Sequence, residues 1–320
     1  MNTPVQIAKD QWQSDFAVPA AGRGGSFTYQ SGTTMVCLDV DGTIVNHDGY
    51  MTDAVKEAGR AVVEGGHTVV VSTGRSLPAT LPVIETLGIT QGYAVCSNGG
   101  VTLRIDTALE DGYEILDQQV FDPAPALKAL QEKLPTARYA IETSAGHFLA
   151  TERFEDLTFG LVPKPVSVKK MKKAEAVRLV VNSTDATARE FARAVTNIGL
   201  HGVTYSVGWS AWLDIAAEGV TKGSSLERLR GKLGAPRSAT LACGDGRNDI
   251  EMLQWAHRGV AMGQAVQEVK DAADEVTGSV DEDGLVSVLR SILEGPAQFS
   301  EPERGQPGQT AHTRSSQPAR

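Results

Sequence analysis

Cysteine is scarce in this chain, with three in 320 residues, at positions 37, 96 and 243. An odd count without metal-ligand spacing argues against both a disulfide framework and a zinc site. Positive charge is short as well: 30 Lys plus Arg stand against 39 Asp plus Glu, a net charge of −9 and a pI near 5.2. A nucleic-acid binder would carry a basic excess instead. No apolar run approaches the ~20 residues that a bilayer span requires. The first residues, with Asp10, Gln13 and Asp15, contain no apolar stretch of the kind a secretory leader needs. The expectation is a cytoplasmic protein without nucleic-acid or membrane partners; nothing in the sequence specifies an oligomer.

The few cysteines are informative by position. Cys37 lies two residues before Asp39, Cys96 two before Asn98 and Cys243 two before Asp245. Each reads as a small buried hydrophobe at the end of a strand, on the same face as the polar residue that follows.

The most telling stretch is Asp39-Val40-Asp41-Gly42-Thr43, which follows the apolar run Met35-Val36-Cys37-Leu38. That run reads as a buried parallel strand ending where the acids begin. Two carboxylates held ~4 Å apart repel by about 4 kcal/mol at an effective dielectric near 20. A divalent cation, a shared proton, or divergence of the side chains in a turn at Gly42 would each relieve this.

Three further signals stand where an apolar run stops or a helix begins. Thr68-Val69-Val70-Val71 leads into Ser72-Thr73-Gly74-Arg75, and Thr240-Leu241-Ala242-Cys243 into Gly244-Asp245-Gly246-Arg247-Asn248-Asp249. Gly219-Val220-Thr221-Lys222-Gly223 opens a helix with Leu226, Leu229 and Leu233 at helical spacing. Ligands of open α/β sheets bind beyond the carboxyl ends of the strands. All four clusters can therefore meet at one site, with acids for a metal and a hydroxyl and an ammonium for an anion.

The apolar periodicity gives helices near 53–64, 80–87 (Pro82 in the first turn), 222–233, 248–256 and 284–293. Strands fall near 68–72, 93–97, 239–243 and 259–262. That alternation is the pattern of a doubly wound parallel sheet, an α/β fold. Between about 101 and 218 the texture changes. Strands read at 113–121 and 138–150, the latter broken by a Ser144-Ala145-Gly146 turn, and at 177–182 and 203–208 around a helix near 185–199. This suggests a separate α+β domain. The resulting division is a core at 33–100 and 219–295, an insertion at 101–218, a dispensable or disordered extension at 1–32, and a disordered Pro- and Gln-rich tail at 296–320. Met35 is a candidate alternative start, testable by N-terminal mass analysis.

At these residues the chain resembles the haloacid-dehalogenase-like phosphatase superfamily, and within it the Cof-type branch with a cap inserted between the second and third motifs. Asp39-Val40-Asp41-Gly42-Thr43, Thr73-Gly74-Arg75, Lys222 and Gly244-Asp245 with Asn248-Asp249 match the four motifs in order. Ser97-Asn98-Gly99-Gly100, Gly259-Val260-Ala261-Met262-Gly263 and Asp281-Glu282-Asp283-Gly284 resemble further signatures. Gln264 departs from the Asn usual after the Ala-Met-Gly run, which puts a loop contact in question.

The resemblance implies a Rossmann-like core with a mobile cap and hydrolysis of phosphate monoesters of a small phosphorylated metabolite, a sugar phosphate or a nucleotide-derived phosphate. It assigns Asp39 as nucleophile and Asp41 as general acid and base, with Mg²⁺ on Asp39, the Asp41 backbone carbonyl and Asp245. Asp249 would orient these ligands or Lys222. Phosphate would be held by Gly42, Thr73, Gly74, Lys222 and Asn248, and substrate by Asn98 and Gly99. Arg75 would pair with an acid at the hinge, and His47 is taken as a solvated loop residue. The rivals are a sugar phosphomutase, which would depend on a bisphosphate primer, and a phosphometabolite-binding protein that has kept the fold without catalysis.

Overall fold

A computed structural model describes residues 30–152, 160–183, 185–207 and 211–294. Most of the expected N-terminal extension and the C-terminal tail lie outside the described residues. The chain enters the sheet through β1 (Met35–Leu38), four residues buried on both faces as a central parallel strand requires. Helix α1 (Asp53–Glu64) starts where the Thr52 hydroxyl accepts the Val55 amide and buries Val55, Ala58 and Val62. Strand β2 (Thr68–Ser72), helix α2 (Leu77–Leu87) and strand β3 (Gln91–Cys96) follow.

Helix α2 starts earlier than expected. Pro78, not Pro82, occupies its first turn, and Pro82 sits inside the helix. An interior proline forfeits a helical hydrogen bond. Burial of Leu77, Val83, Ile84 and Leu87 against the sheet outweighs that loss.

The expected change of domain at residue 101 does not coincide with the change of sheet. Strands β4 (Val101–Asp106) and β5 (Tyr113–Gln118) fold back antiparallel onto β3 and extend the first sheet. Val101, Leu103 and Ile105 join the same apolar cluster as Val36 and Leu38 of β1. Burial against that existing core decides their allegiance, and the chain leaves the sheet only after Gln118.

The insertion then builds α3 (Ala124–Lys133), β6 (Arg138–Thr143), β7 (Phe148–Ala150), β8 (Lys164–Pro165), α4 (Val168–Met171), β9 (Ala176–Asn182), α5 (Ala188–Ile198), β10 (Val203–Val207) and β11 (Trp212–Ala217). Its sheet runs β10-β11-β9-β6-β7-β8, antiparallel except for the β7–β8 pair. Leu127, Leu130, Tyr139, Leu179, Phe191 and Leu213 close a core of its own. Lys164, Lys169, Lys170 and Lys173 form an exposed basic run on its surface.

The chain returns through α6 (Lys222–Leu233), β12 (Thr240–Gly244), α7 (Ile250–Trp255), β13 (Arg258–Ala261), α8 (Gln267–Asp271), β14 (Glu275–Val276) and α9 (Gly284–Leu293). The completed sheet has the order β14-β13-β12-β1-β2-β3-β4-β5, parallel from β14 to β3. Helices α1, α2 and α9 pack on one face and α6, α7 and α8 on the other. Among the described residues, no helix is long and apolar enough to cross a membrane.

All three cysteines are buried and free. Cys37 and Cys243 stand on adjacent strands, one residue out of register. Cys37 pairs with Ala242 and Leu38 with Cys243, so Cys37 and Cys243 point to opposite faces of the sheet. Burial pushes each thiol well above its ordinary pKa, with Cys96 reaching about 12. Low-pKa reactive thiols have the opposite character.

Phe191 is fully buried in the core of the insertion. Phe191→Ala should cost about 3–5 kcal/mol, read as a lowered urea midpoint. A change below about 1 kcal/mol would contradict the packing described.

Candidate active site

Parallel strands deliver their carboxyl ends to one edge of the sheet, and the polar clusters follow those ends. Asp39 leaves β1, Thr73 leaves β2 and Asp245 leaves β12. Lys222 is the first residue of α6, whose Thr221 cap accepts the Ser224 amide at 3.1 Å. The ammonium of Lys222 is buried and donates to Oδ1 of Asp39 and Oδ1 of Asp249, each at 2.6 Å. The other oxygen of Asp249 accepts the backbone amides of Asp245 at 3.1 Å and Gly246 at 2.8 Å. Both Asp249 oxygens are thus engaged in fixing Lys222 and the loop that carries Asp245.

Carboxylate oxygens of Asp39, Asp245 and Asp249 lie within 4.8 Å of one another. Three acids against one lysine leave an excess of negative charge in a buried place. Burial pushes the Asp39 carboxyl well above the usual range; Asp249 adds to this, and Lys222 pulls the other way. Asp245 is raised to about 6 by burial and by Asp249, opposed by Gln264, Lys222 and His47. Burial alone would lower the pKa of Lys222, but Asp249 and Asp39 outweigh it and hold the group charged.

An all-oxygen donor set with surplus negative charge fits a hard divalent cation. The packing is consistent with one. Gly42 has φ +86, and a Cβ there would collide with the Asp245 carboxylate, so the glycine keeps the two loops in close approach.

Asp41 diverges from Asp39, as one of the three remedies required. Its side chain is exposed and forms a two-pronged ion pair with Arg75, at 2.9 Å to Nε and 2.5 Å to Nη2. Arg75 thus pairs with an acid, as expected, and that acid is Asp41. His47 is exposed, yet near enough for its charge to act on Asp245.

Thr73 is buried, and its hydroxyl accepts the Arg75 amide at 3.0 Å, shaping the turn that carries Gly74. A Cβ on Gly74 would press on the Asn98 side chain at 3.2 Å. The Asn98 carbonyl oxygen accepts from the Asn248 amide at 3.0 Å, which joins the turn after β3 to the loop after β12. Ser97, Asn98 and Gly99 all have positive φ, at 53°, 54° and 105°. Gly99 packs so tightly on α6 that a Cβ would overlap the Thr221 carbonyl.

Glu142, Arg178 and Asp214 escaped the sequence reading, and the contacts of Gln264 and Ser97 were not assigned by it. Gln264 donates to the Gly42 carbonyl at 2.6 Å and to Asp245 at 3.3 Å, while its own carbonyl accepts the Val280 amide at 3.0 Å. The loop contact that its departure from Asn put in question is therefore made by the longer amide. The Ser97 hydroxyl donates to Glu142 of the insertion at 2.6 Å, in a buried setting. Arg178 and Asp214, paired at 2.5 Å, line a cleft between insertion and core together with Asn98, Lys222 and Asn248. The available signal was a single charge inside each of two apolar strands.

The described geometry agrees with the comparisons. Residues 36–289 match the family profile for haloacid dehalogenase-like hydrolases. The pyridoxal phosphate phosphatase of Escherichia coli K12 is 28% identical over 280 residues, covering 82% of this chain and 99% of that protein. A phosphatase of Bacillus subtilis strain 168 is 25% identical over 292 residues, covering 81% and 99%. Among solved structures, a sugar phosphatase of subclass IIB superposes with a TM-score of 0.68 at 24% identity, covering 81% of this chain and 98% of that one. With the family profile spanning most of its length and the fold matching, the chain belongs to the haloacid dehalogenase-like hydrolases.

Proposed function

We propose that this site hydrolyses phosphate monoesters of small metabolites through an aspartyl-phosphate on Asp39, with Mg²⁺ as cofactor. The observation that carries the reading is the buried bridge from Lys222 to Asp39 and Asp249, set among strand-end carboxylates. The names of the E. coli and B. subtilis relatives as phosphatases support it.

Lys222 grips Oδ1 of Asp39, so Oδ2 is the attacking oxygen. Its lone pair forms a bond to phosphorus as the ester P–O bond breaks, and that electron pair leaves on the alcohol oxygen. Protonated Asp41 supplies the proton. Water then attacks the same phosphorus, Asp41 takes its proton, and the acyl-phosphate P–O bond breaks to return the Asp39 carboxylate. A carboxylate nucleophile thus divides one hard displacement into two easier ones.

Charge develops on the phosphoryl oxygens throughout, and fixed positive charge is the main requirement. Lys222 at the start of α6 supplies it, assisted by the Thr73 hydroxyl, the backbone around Gly42 and Gly74, and the Asn248 amide. Mg²⁺, held by Asp39, Asp245 and the Asp41 carbonyl, would neutralise the charge of a carboxylate meeting an anionic ester. Asp41 must exchange Arg75 for the leaving-group oxygen during this cycle.

Asp39→Asn is expected to lower phosphate release by at least about 10³-fold with the melting curve retained. Activity within a few-fold of wild type would exclude Asp39 as nucleophile.

The raised Asp245 pKa gives a second test. Between its unfolded value near 4 and its folded value of about 6, the folded protein holds more protons than the unfolded one. The contribution of this group to stability therefore falls as pH rises through that window. A cation that replaces those protons relieves the cost. Thermal stabilisation by Mg²⁺ relative to chelator should be small at about pH 5 and larger at about pH 7.5, and Asp245→Asn should remove most of it. Melting at the higher pH that ignores Mg²⁺ would count against the metal assignment.

A further inference from the structure

Gln264 joins segments that lie far apart in the chain. Its side-chain amide donates to the Gly42 carbonyl at 2.6 Å and to Oδ2 of Asp245 at 3.3 Å. Its own carbonyl oxygen accepts the Val280 amide at 3.0 Å. Only an oxygen can satisfy that backbone N–H, so Val280 dictates which way the side chain faces. Both of its N–H groups are thereby turned towards Gly42 and Asp245.

The groups it holds bear directly on the ligands assigned above to the cation. Asp245 is one of those ligands, and a hydrogen bond to its Oδ2 restrains rotation of the carboxylate. The Asp41 carbonyl is another. It shares a planar peptide unit with the Gly42 amide, which donates to the Val45 carbonyl at 2.8 Å. Gln264 grips the next carbonyl along, that of Gly42, so the chain is held on both sides of this glycine. One side chain thus steadies a carboxylate from the loop after β12 and the backbone of the loop after β1.

That reach depends on the length of glutamine. The backbone leading into Gln264 is fixed, because the Met262 amide donates to the Gly244 carbonyl at 3.0 Å and the Gly263 amide to the Gly278 carbonyl at 2.9 Å. Gly263 packs so closely that a Cβ would collide with the Ser279 amide nitrogen. Asparagine, the residue usual after an Ala-Met-Gly run, is shorter by one carbon–carbon bond, about 1.5 Å. From the same backbone it could not span Gly42 and Val280 together.

Firm placement of ligands matters unequally to different cations. Mg²⁺ is small and needs near-ideal octahedral geometry, whereas Ca²⁺ accepts longer and less regular bonds. Selectivity between the two therefore depends on how rigidly the ligands are held. Groups that orient metal ligands are worth about 10–100-fold in metal affinity.

Building on the Mg²⁺-dependent phosphatase reading, we infer that Gln264 is a positioning residue for the cation, which by fixing Asp245 and Gly42 strengthens Mg²⁺ binding and favours Mg²⁺ over Ca²⁺.

The test is calorimetric titration of Mg²⁺ and of Ca²⁺ into the full chain after chelation and dialysis, with melting curves recorded in chelator. Gln264→Met keeps the length of the side chain and removes the amide. Gln264→Asn keeps the amide and shortens it, and serves alone where the first variant fails to fold. Each should weaken Mg²⁺ by at least about tenfold and Ca²⁺ by less than about threefold. Gln264 is half-buried in a loop, so the melting points in chelator should stay close to that of wild type.

Equal weakening of both cations overturns the inference, as does wild-type Mg²⁺ affinity in either variant. A lowered melting point in chelator with cation binding unchanged does the same, and marks Gln264 as a loop brace alone. Those outcomes leave the phosphatase reading standing. If wild type binds no Mg²⁺, the metal assignment falls first and takes the inference with it.

Discussion

One buried ammonium holds this site together. Lys222 has no exposed side-chain surface, and it ties the end of β1 to the loop after β12 through Asp39 and Asp249. Removing either acid would leave a buried charge short of a partner, a change of the kind that costs about 3–5 kcal/mol. The same ammonium gains two anions from residues far apart in the chain, which fixes how α6 docks on the sheet. With Asp245 beside it, the cluster carries more negative than positive charge. A buried all-oxygen cluster with surplus negative charge fits a hard cation.

The turn after β3 extends that constraint to the insertion. Three successive residues with positive φ are costly for an L-chain, at ~1–2 kcal/mol for each residue other than glycine. Ser97 and Asn98 accept that cost because their surroundings dictate it. The Ser97 amide donates to the Arg75 carbonyl at 2.8 Å and the Asn98 amide to the Thr73 carbonyl at 3.0 Å. The Gly99 carbonyl accepts the Ser225 hydroxyl at 2.8 Å. The Ser97 side chain then reaches Glu142. One strained turn therefore touches the loop after β2, helix α6, the loop after β12 and the inserted sheet. The Ser97–Glu142 hydrogen bond thus ties the inserted sheet to the same turn.

The two ends of the cleft differ in their side chains. Where bond breaking is proposed, charges are concentrated and bought at the expense of stability. On the insertion side of the cleft Arg178 is paired with Asp214 at 2.5 Å. The packing behind each end differs accordingly. Asp39 and Asp245 stand at the ends of strands, beside loops, whereas Arg178 and Asp214 lie within strands that share a core.

Much of the core was legible in the sequence because its signals are local. A buried parallel strand is a short apolar run, and Asp39, Thr73 and Asp245 each follow one directly; Lys222 follows a helix cap. The helices 53–64, 222–233 and 284–293 carried their own periodicity and stops, and the structure places them at those bounds. What sequence alone could not fix depends on contacts between distant segments. Strands β4 and β5 could have joined either sheet, and burial against β3 chose the first. The facing of Cys37 and Cys243 turned on a one-residue register between β1 and β12. Pro82 sits inside a helix because tertiary burial outweighs a local penalty. The partner of Asp41, the reach of Gln264 to Gly42 and the Arg178–Asp214 pair are equally nonlocal. The chain by itself determined which chemical groups stand at the strand ends, since side-chain period and turn residues act over a few positions. Only folding decided which of those groups meet, since that is set by packing among segments that the sequence keeps far apart.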